Sequence, residues 1–418
     1  MTYSIKAPDT LSACISLPAS KSVSNRALVI QALTEGCPLP DNLSDCDDTK
    51  VMLDALQHMP HTIDIGAAGT AMRFMTAFLS VCEGEHIITG TERMKHRPIG
   101  ILVDALRYLG AEIEYEGEEG FPPLRIKGHA LDGGNLSIAG NVSSQYISAL
   151  LMIAPAMKNG LSLTLTGDIV SRPYIDLTLW MMGEYGADAS WTSPDVITVK
   201  PKPYQPCEHV YVIENDWSAA SYWYEMLALC PDMGAEVELK GLMDSSKQGD
   251  TVVKYLFSLL GVRTTFGTKK PLTPTTVTLK KIDMTIPRLE YDFTKSPDLA
   301  QTMAVTCVLK EIPFCFKGLS SLRIKETDRI DALQKELRKI GAEIEIVNDD
   351  ELLWDGVLSE PTGDPIETYE DHRMAMAFAP AAMVIDGLRI NNPQVVSKSY
   401  PKFWDTLRAC GFEITEQA

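Results

Sequence analysis

The sequence is short of positive charge: 38 Lys and Arg stand against 56 Asp and Glu, a net charge of −18. Nucleic acids and anionic membranes are bound largely through basic surface, which excludes both as main partners. Taken alone, the deficit also argues against anionic substrates. Long apolar runs are lacking too. The longest, Met374 to Ile385, holds twelve residues and is interrupted by Pro380, against the ~20 needed to span a bilayer. The opening residues, Met1 to Asp9, carry no apolar stretch of the signal-peptide kind, so a cytoplasmic protein is expected. The nine cysteines are an odd number and none forms a Cys-x-x-Cys pair. Reduced, mostly buried thiols are the expectation. The seven histidines include no His-Glu-x-x-His, so neither structural zinc nor metalloprotease chemistry is expected.

What is present is ordinary globular composition, 45% hydrophobic and 22% charged over 418 residues. That length predicts two or three domains with cores that need no staple. One pattern recurs. An amphipathic helix runs into Gly and then a short alternating strand, at Gly110, Gly186, Gly261, Gly341 and Gly411. By subtraction the spacings are 76, 75, 80 and 70 residues. Each Gly suits the left-handed residue after a helix end, where a Cβ would be strained. The helices before them carry apolar residues three or four apart, such as Leu102, Leu106, Leu109 and Ile330, Leu333, Leu337, Ile340. The repeat predicts an α/β (α+β) chain of about six similar units. The first is shortened, because its helix at 49–59 runs directly into Pro60.

Several helices are predicted to start with small or hydroxyl residues beside a cation. These are Pro18-Ala19-Ser20-Lys21-Ser22-Val23-Ser24-Asn25-Arg26, Gly69-Thr70-Ala71-Met72-Arg73 and Val142-Ser143-Ser144-Gln145. Helix N-termini present unpaired N–H groups and partial positive charge, which suits phosphate or carboxylate, although Ser and Gly there are equally common as plain caps. Denser charge follows at Arg93-Met94-Lys95-His96-Arg97-Pro98, Lys325-Glu326-Thr327-Asp328-Arg329, Asp371-His372-Arg373 and Lys398. Charge runs are usually solvated surface. Their convergence with the helix starts favours an anion site.

Together with Ser171-Arg172-Pro173-Tyr174-Ile175-Asp176 and Pro297-Asp298, these motifs resemble those of the 5-enolpyruvylshikimate-3-phosphate synthases, a family of 3-phosphoshikimate 1-carboxyvinyltransferases. They occur in the family's order across nearly the whole chain. The resemblance implies a two-domain enolpyruvyl transferase fold. Each domain would hold three βαβαββ units about a pseudo-threefold axis, with one unit shortened. Residues 1–17 and 216–418 would form a discontinuous domain and residues 18–215 an inserted one, around a closing cleft. It implies transfer of the enolpyruvyl group of phosphoenolpyruvate to the 5-hydroxyl of shikimate 3-phosphate, by addition and then elimination of phosphate. The only partners implied are these two small molecules, and a monomer without cofactor or metal is expected.

Residue by residue, the resemblance places Lys21, Ser22, Arg26, Ser143, Ser144, Gln145, Ser171, Tyr174, Asp298 and Lys325 around shikimate 3-phosphate. Lys21, Gly69, Arg97, Gln145, Arg329, Arg373 and Lys398 would hold phosphoenolpyruvate. It makes Asp298 the base for the 5-hydroxyl and Glu326 the proton carrier for the methylene carbon, with Lys21, His372 and Lys398 in support. Gly69 matches the family position where larger residues block glyphosate. Ala67 and Ser321 stand where the family usually has Asn, Glu370 where it has Asn, and Phe74 where it has Pro. A stretch between Met59 and Ile63 is missing. Two rival readings remain. One is the sibling transferase acting on UDP-N-acetylglucosamine, which has Lys-Asn where this chain has Lys21-Ser22 and a Cys where Glu92 stands. The other is an anion-binding homologue without turnover.

Overall fold

The computed structural model describes residues 1–268 and 270–417. The chain forms two compact units, one of Met1–Pro18 with Glu214–Ala418 and one of Ala19–Ile213. Each has its own apolar core. The first is centred on Trp217, Trp223, Phe257, Phe314 and Phe378, the second on Val29, Met72, Phe74, Leu150 and Leu163. A fully buried Leu, Ile, Phe or Met side chain contributes roughly 1.5–3 kcal/mol, so cores of this size hold each unit without a disulfide. All nine cysteines are free thiols. Only Cys46, Cys230 and Cys307 are fully buried, fewer than the composition suggested.

One sheet plan recurs. Strands Gly134–Ala139 and Leu161–Thr166 pair in parallel, and the hairpin Ala189–Ser193 and Val196–Val199 adds antiparallel to the second of them. The strands Thr62–Asp64, Gly84–Thr89, Leu124–Gly128 and Glu112–Tyr115 repeat that order, as do Leu289–Asp292, Phe314–Lys317, Glu351–Trp354 and Glu345–Val347. A fourth copy joins Ser12–Ser16 to Glu236–Leu242 in parallel across the whole inserted unit. The fifth borrows Thr2–Lys6 as a strand between Leu388–Asn391 and Glu413–Gln417. Each helix between the parallel strands serves as the crossover that parallel pairing requires.

The glycine signal reports real geometry. Gly110, Gly186, Gly261, Gly341 and Gly411 all have positive φ, between 76° and 105°. In the sixth copy, helices Lys21–Ala32 and Asp47–His58 are present, but the sheet shrinks to the single parallel bridge Asp41–Val212. What is absent is the hairpin that should follow the second helix, at the place where the sequence is short. That helix ends at Met59, left-handed at φ 41°, where the other copies use Gly. Leu28, Leu39, Leu53, Leu56, Met59 and Phe78 line a cavity of about 470 Å³ beside the uncovered helices.

Candidate active site

In the unit holding residues 214–418, the N-termini of four helices are tied together by charged side chains. The helices are Trp217–Leu229, Ala300–Leu309, Arg329–Lys339 and His372–Phe378. Aspartates cap three of them. Asp216 accepts from the Ala219 amide, Asp328 from those of Ile330 and Asp331, and Asp371 from that of Arg373. Short acceptors at these positions satisfy amides that the helix cannot. Asp371 then does more, because Arg329, at the first turn of its own helix, reaches it from below.

Arg329 is the hub. Its Nε donates to Asp371 Oδ2 at 2.7 Å, Nη1 to Asp298 Oδ1 at 2.9 Å, and Nη2 to Glu326 Oε2 at 2.9 Å. Arg373 Nη2 donates to Asp298 Oδ2 at 2.8 Å, Lys325 lies 3.8 Å from Asp298, and Lys398 lies 3.2 Å from Glu326. The arrangement places the two expected acid–base carboxylates and four expected cations in one network. Burial alone would raise Asp298, but Arg373, Lys325 and Arg329 hold it far below the usual carboxylate range. The same carboxylates, against the pull of burial, hold the Arg329 guanidinium firmly protonated. His372 is buried, with Nδ1 3.6 Å from Asp371 Oδ1.

The other unit shows a second convergence of helix starts. Helices Lys21–Ala32, Gly69–Val81, Ser144–Ile153 and Arg172–Glu184 pack on one another. Gln145 Nε2 donates to Thr70 Oγ1 at 3.1 Å, which joins two first turns. Arg26 joins two more. Its Nε donates to Thr178, its Nη1 to the Ser22 carbonyl, and its Nη2 to Ser148 and the Tyr174 carbonyl, over 2.7–3.4 Å. The guanidinium also lies over the rings of Phe74 and Tyr174. It is more deeply buried than a surface substrate contact would be. Every partner among the described residues is neutral, and burial brings its pKa down to about 10. A buried cation with no counter-charge is costly unless an anion arrives.

Lys21 pairs with Asp48 at 3.3 Å. Ser143 caps its helix through the Gln145 amide, with Ser144 as the first helical residue. Ser171 stands at the N-cap position of the last of the four without a side-chain capping bond, in the left-handed region at φ 56°, a strained choice for a residue with a Cβ. Gly69 lies against Arg97: a Cβ there would fall 2.5 Å from Arg97 Nη1 and 3.0 Å from Arg73 Nη1. The Arg97 guanidinium has no ion pair among the described residues, and Ala67 beside Gly69 is exposed. No group of three or more His, Cys, Asp or Glu among the described residues could hold a metal.

Sequence reasoning missed several of these partners. Asp371 was visible as a cap but not as the seat of Arg329. Asp48, Ser148 and Thr178 gave no local signal, because their roles depend on other elements. Phe74, noted only as a departure from Pro, supports Arg26. Ser321, also a departure, has a buried hydroxyl without a partner among the described residues.

Comparison with known proteins matches this geometry to a family. A family model described as EPSP synthase (3-phosphoshikimate 1-carboxyvinyltransferase) matches residues 5–65 and 59–407. The two pieces meet where the first-unit hairpin is absent. A curated 3-phosphoshikimate 1-carboxyvinyltransferase from Bacteroides fragilis is 57% identical over 99% of both chains. One from Vibrio campbellii is 36% identical over 94% of this chain and 96% of its own. Among solved structures, EPSP synthase from Acinetobacter baumannii superposes with a TM-score of 0.77 at 21% identity, covering 99% of this chain and 100% of that one. The enolpyruvyl transferase NikO from Streptomyces tendae gives 0.71 at 14% identity, over 100% and 98%. On the full-length identity and the family match, the chain belongs to the EPSP synthase (3-phosphoshikimate 1-carboxyvinyltransferase) family.

Proposed function

We propose that the protein transfers the enolpyruvyl group of phosphoenolpyruvate to the 5-hydroxyl of shikimate 3-phosphate and releases phosphate, a step of the shikimate pathway toward aromatic amino acids. The observation that carries this reading is the Arg329 network, in which two carboxylates are held by four cations at converging helix starts. Such a network suits a substrate with two anionic groups, because the incoming anions can take over cations already gathered in place.

Arg329, Arg373 and Lys398, with Arg97 beside Gly69, would take the phosphate and carboxylate of phosphoenolpyruvate. Asp298, poor as a base while Arg373 and Arg329 hold it, gains basicity as those cations turn to the ligand. It then accepts the proton of the 5-hydroxyl, whose oxygen attacks C2 of phosphoenolpyruvate. Glu326 delivers a proton to C3 to give the tetrahedral adduct and takes one back when the C–O bond to phosphate breaks. Lys21 would protonate the departing phosphate, and His372 supports Asp371. Positioned acid–base groups of this kind contribute about 10²–10⁴ each in rate. Shikimate 3-phosphate would be held by Lys21, Ser22, Ser143, Ser144, Gln145, Ser171 and Tyr174. Arg26 supplies the uncompensated charge for its carboxylate, and Lys325 lies on the Asp298 side.

The same reading makes the protein a cytoplasmic monomer whose partners are these small molecules. Among the described residues no helix is long and apolar enough to cross a membrane. A phosphate-release assay tests the function. Release with phosphoenolpyruvate and shikimate 3-phosphate is expected, and none with UDP-N-acetylglucosamine. Binding of both substrates without release would leave an anion-binding protein instead.

A further inference from the structure

Asp250 is a buried carboxylate that the reaction above does not use. It sits in the turn Gly249–Val252 and is 2% exposed. Its Oδ2 accepts a hydrogen bond from Ser218 Oγ, while Oδ1 has no partner among the described residues. Ser218 Oγ lies 3.5 Å from Arg373 Nη2, the nitrogen that also donates to Asp298 Oδ2 at 2.8 Å. The groups that face Asp250 come from three other elements. They are Asp216 and Ser218 at the start of helix Trp217–Leu229, Asp298 from the turn Pro297–Leu299, and Arg373 from helix His372–Phe378.

A carboxylate with one oxygen unsatisfied is an expensive way to fill a core. Its one bond goes to a hydroxyl that itself points at a site cation. We propose that Asp250, acting through the Ser218 hydroxyl, is a positioning residue that holds the Arg373 guanidinium in place to grip phosphoenolpyruvate once Asp298 releases it. The ionised carboxylate accepts the Ser218 hydrogen bond, and that turns an Oγ lone pair toward Arg373 Nη2. Protonated Asp250 can instead donate to Ser218, and the orientation is lost. Burial and the neighbouring Asp298 push Asp250 up to about 6, against the pull of Arg373, so the device works above that pH and fades below it. The inference rests on the reading that Arg373 serves phosphoenolpyruvate.

Steady-state kinetics of Asp250→Asn, Ser218→Ala, Ser218→Thr and Arg373→Gln across pH 5 to 8.5 test it. At pH 8, Asp250→Asn and Ser218→Ala should raise KM for phosphoenolpyruvate about tenfold, the scale of one lost bond to a charged group. KM for shikimate 3-phosphate should not move, and Ser218→Thr should behave like the parent. The Asp250→Asn penalty should shrink toward nothing below pH 6, because the parent then carries a protonated Asp250. A penalty independent of pH, as a merely structural role would give, overturns the proposal. So does a parental KM in both Asp250→Asn and Ser218→Ala while Arg373→Gln raises it. If Arg373→Gln also leaves that KM unchanged, the assignment of Arg373 itself fails, and the positioning role falls with it.

Discussion

Arg329 and Asp371 meet as a two-pronged ion pair, Nε to Oδ2 at 2.7 Å and Nη2 to Oδ1 at 3.3 Å, with both side chains almost wholly out of water. The pair fixes the plane of the guanidinium, and with it the directions in which Nη1 and Nη2 reach Asp298 and Glu326. Removing one partner from a buried pair costs about 3–5 kcal/mol, since the survivor stays charged in a dry place. Asp371→Ala should lose that much in urea-induced unfolding. A loss below 1 kcal/mol would show that the pair is dispensable to the fold.

Gly69 is needed for close approach rather than for backbone freedom. Its Cβ would overlap the end of Arg97, a side chain able to move aside. Gly69→Ala should therefore leave thermal stability nearly unchanged, shift Arg97 and raise KM for phosphoenolpyruvate. It should weaken glyphosate inhibition as well if that compound uses the same cations. Unchanged KM in the kinetic assay would refute the contact as a functional one.

Asp298→Ala and Glu326→Ala should cut turnover by about 10²–10⁴, the range for positioned acid–base groups. Affinity should behave differently. Each carboxylate occupies a cation proposed to take the ligand, so its removal frees Arg373 or Lys398. Calorimetry should find phosphoenolpyruvate bound by these variants as tightly as by the parent, or more so. Equal losses in binding and turnover would mean that the carboxylates only hold the site together.

Glu225 lies fully buried in helix Trp217–Leu229, and burial raises its pKa well above the ordinary carboxyl range. Its raised value means the neutral acid is the folded form, while the unfolded chain ionises near ~4.3. Stability linked to this group is thus full below that pH and declines as pH rises toward the folded-state value. Glu225→Gln should raise the melting temperature at pH 8 and have little effect at pH 4. An equal shift at both pH values would contradict this.

The sequence by itself determined the periodic parts of the fold. Gly110, Gly186, Gly261, Gly341 and Gly411 were legible because a helix that stops and reverses needs a left-handed residue, a requirement met within a few positions. The shortening of the first unit was legible as well, since Pro60 follows the helix at once. Cations at helix starts could be found because capping and charge act locally. Only the tertiary structure decided how those cations are spent. Arg26 and Arg329 look alike in the sequence, each near a helix start. One is buried among neutral oxygens, and the other is saturated by three carboxylates. Net charge could not anticipate this, because electrostatic energy in a dry site depends on which charges lie within a few ångströms rather than on their sum over the chain. Asp250 and Ser218 were silent for the same reason. Thirty-two residues separate them in the chain, and only packing brings their side chains together beside Arg373.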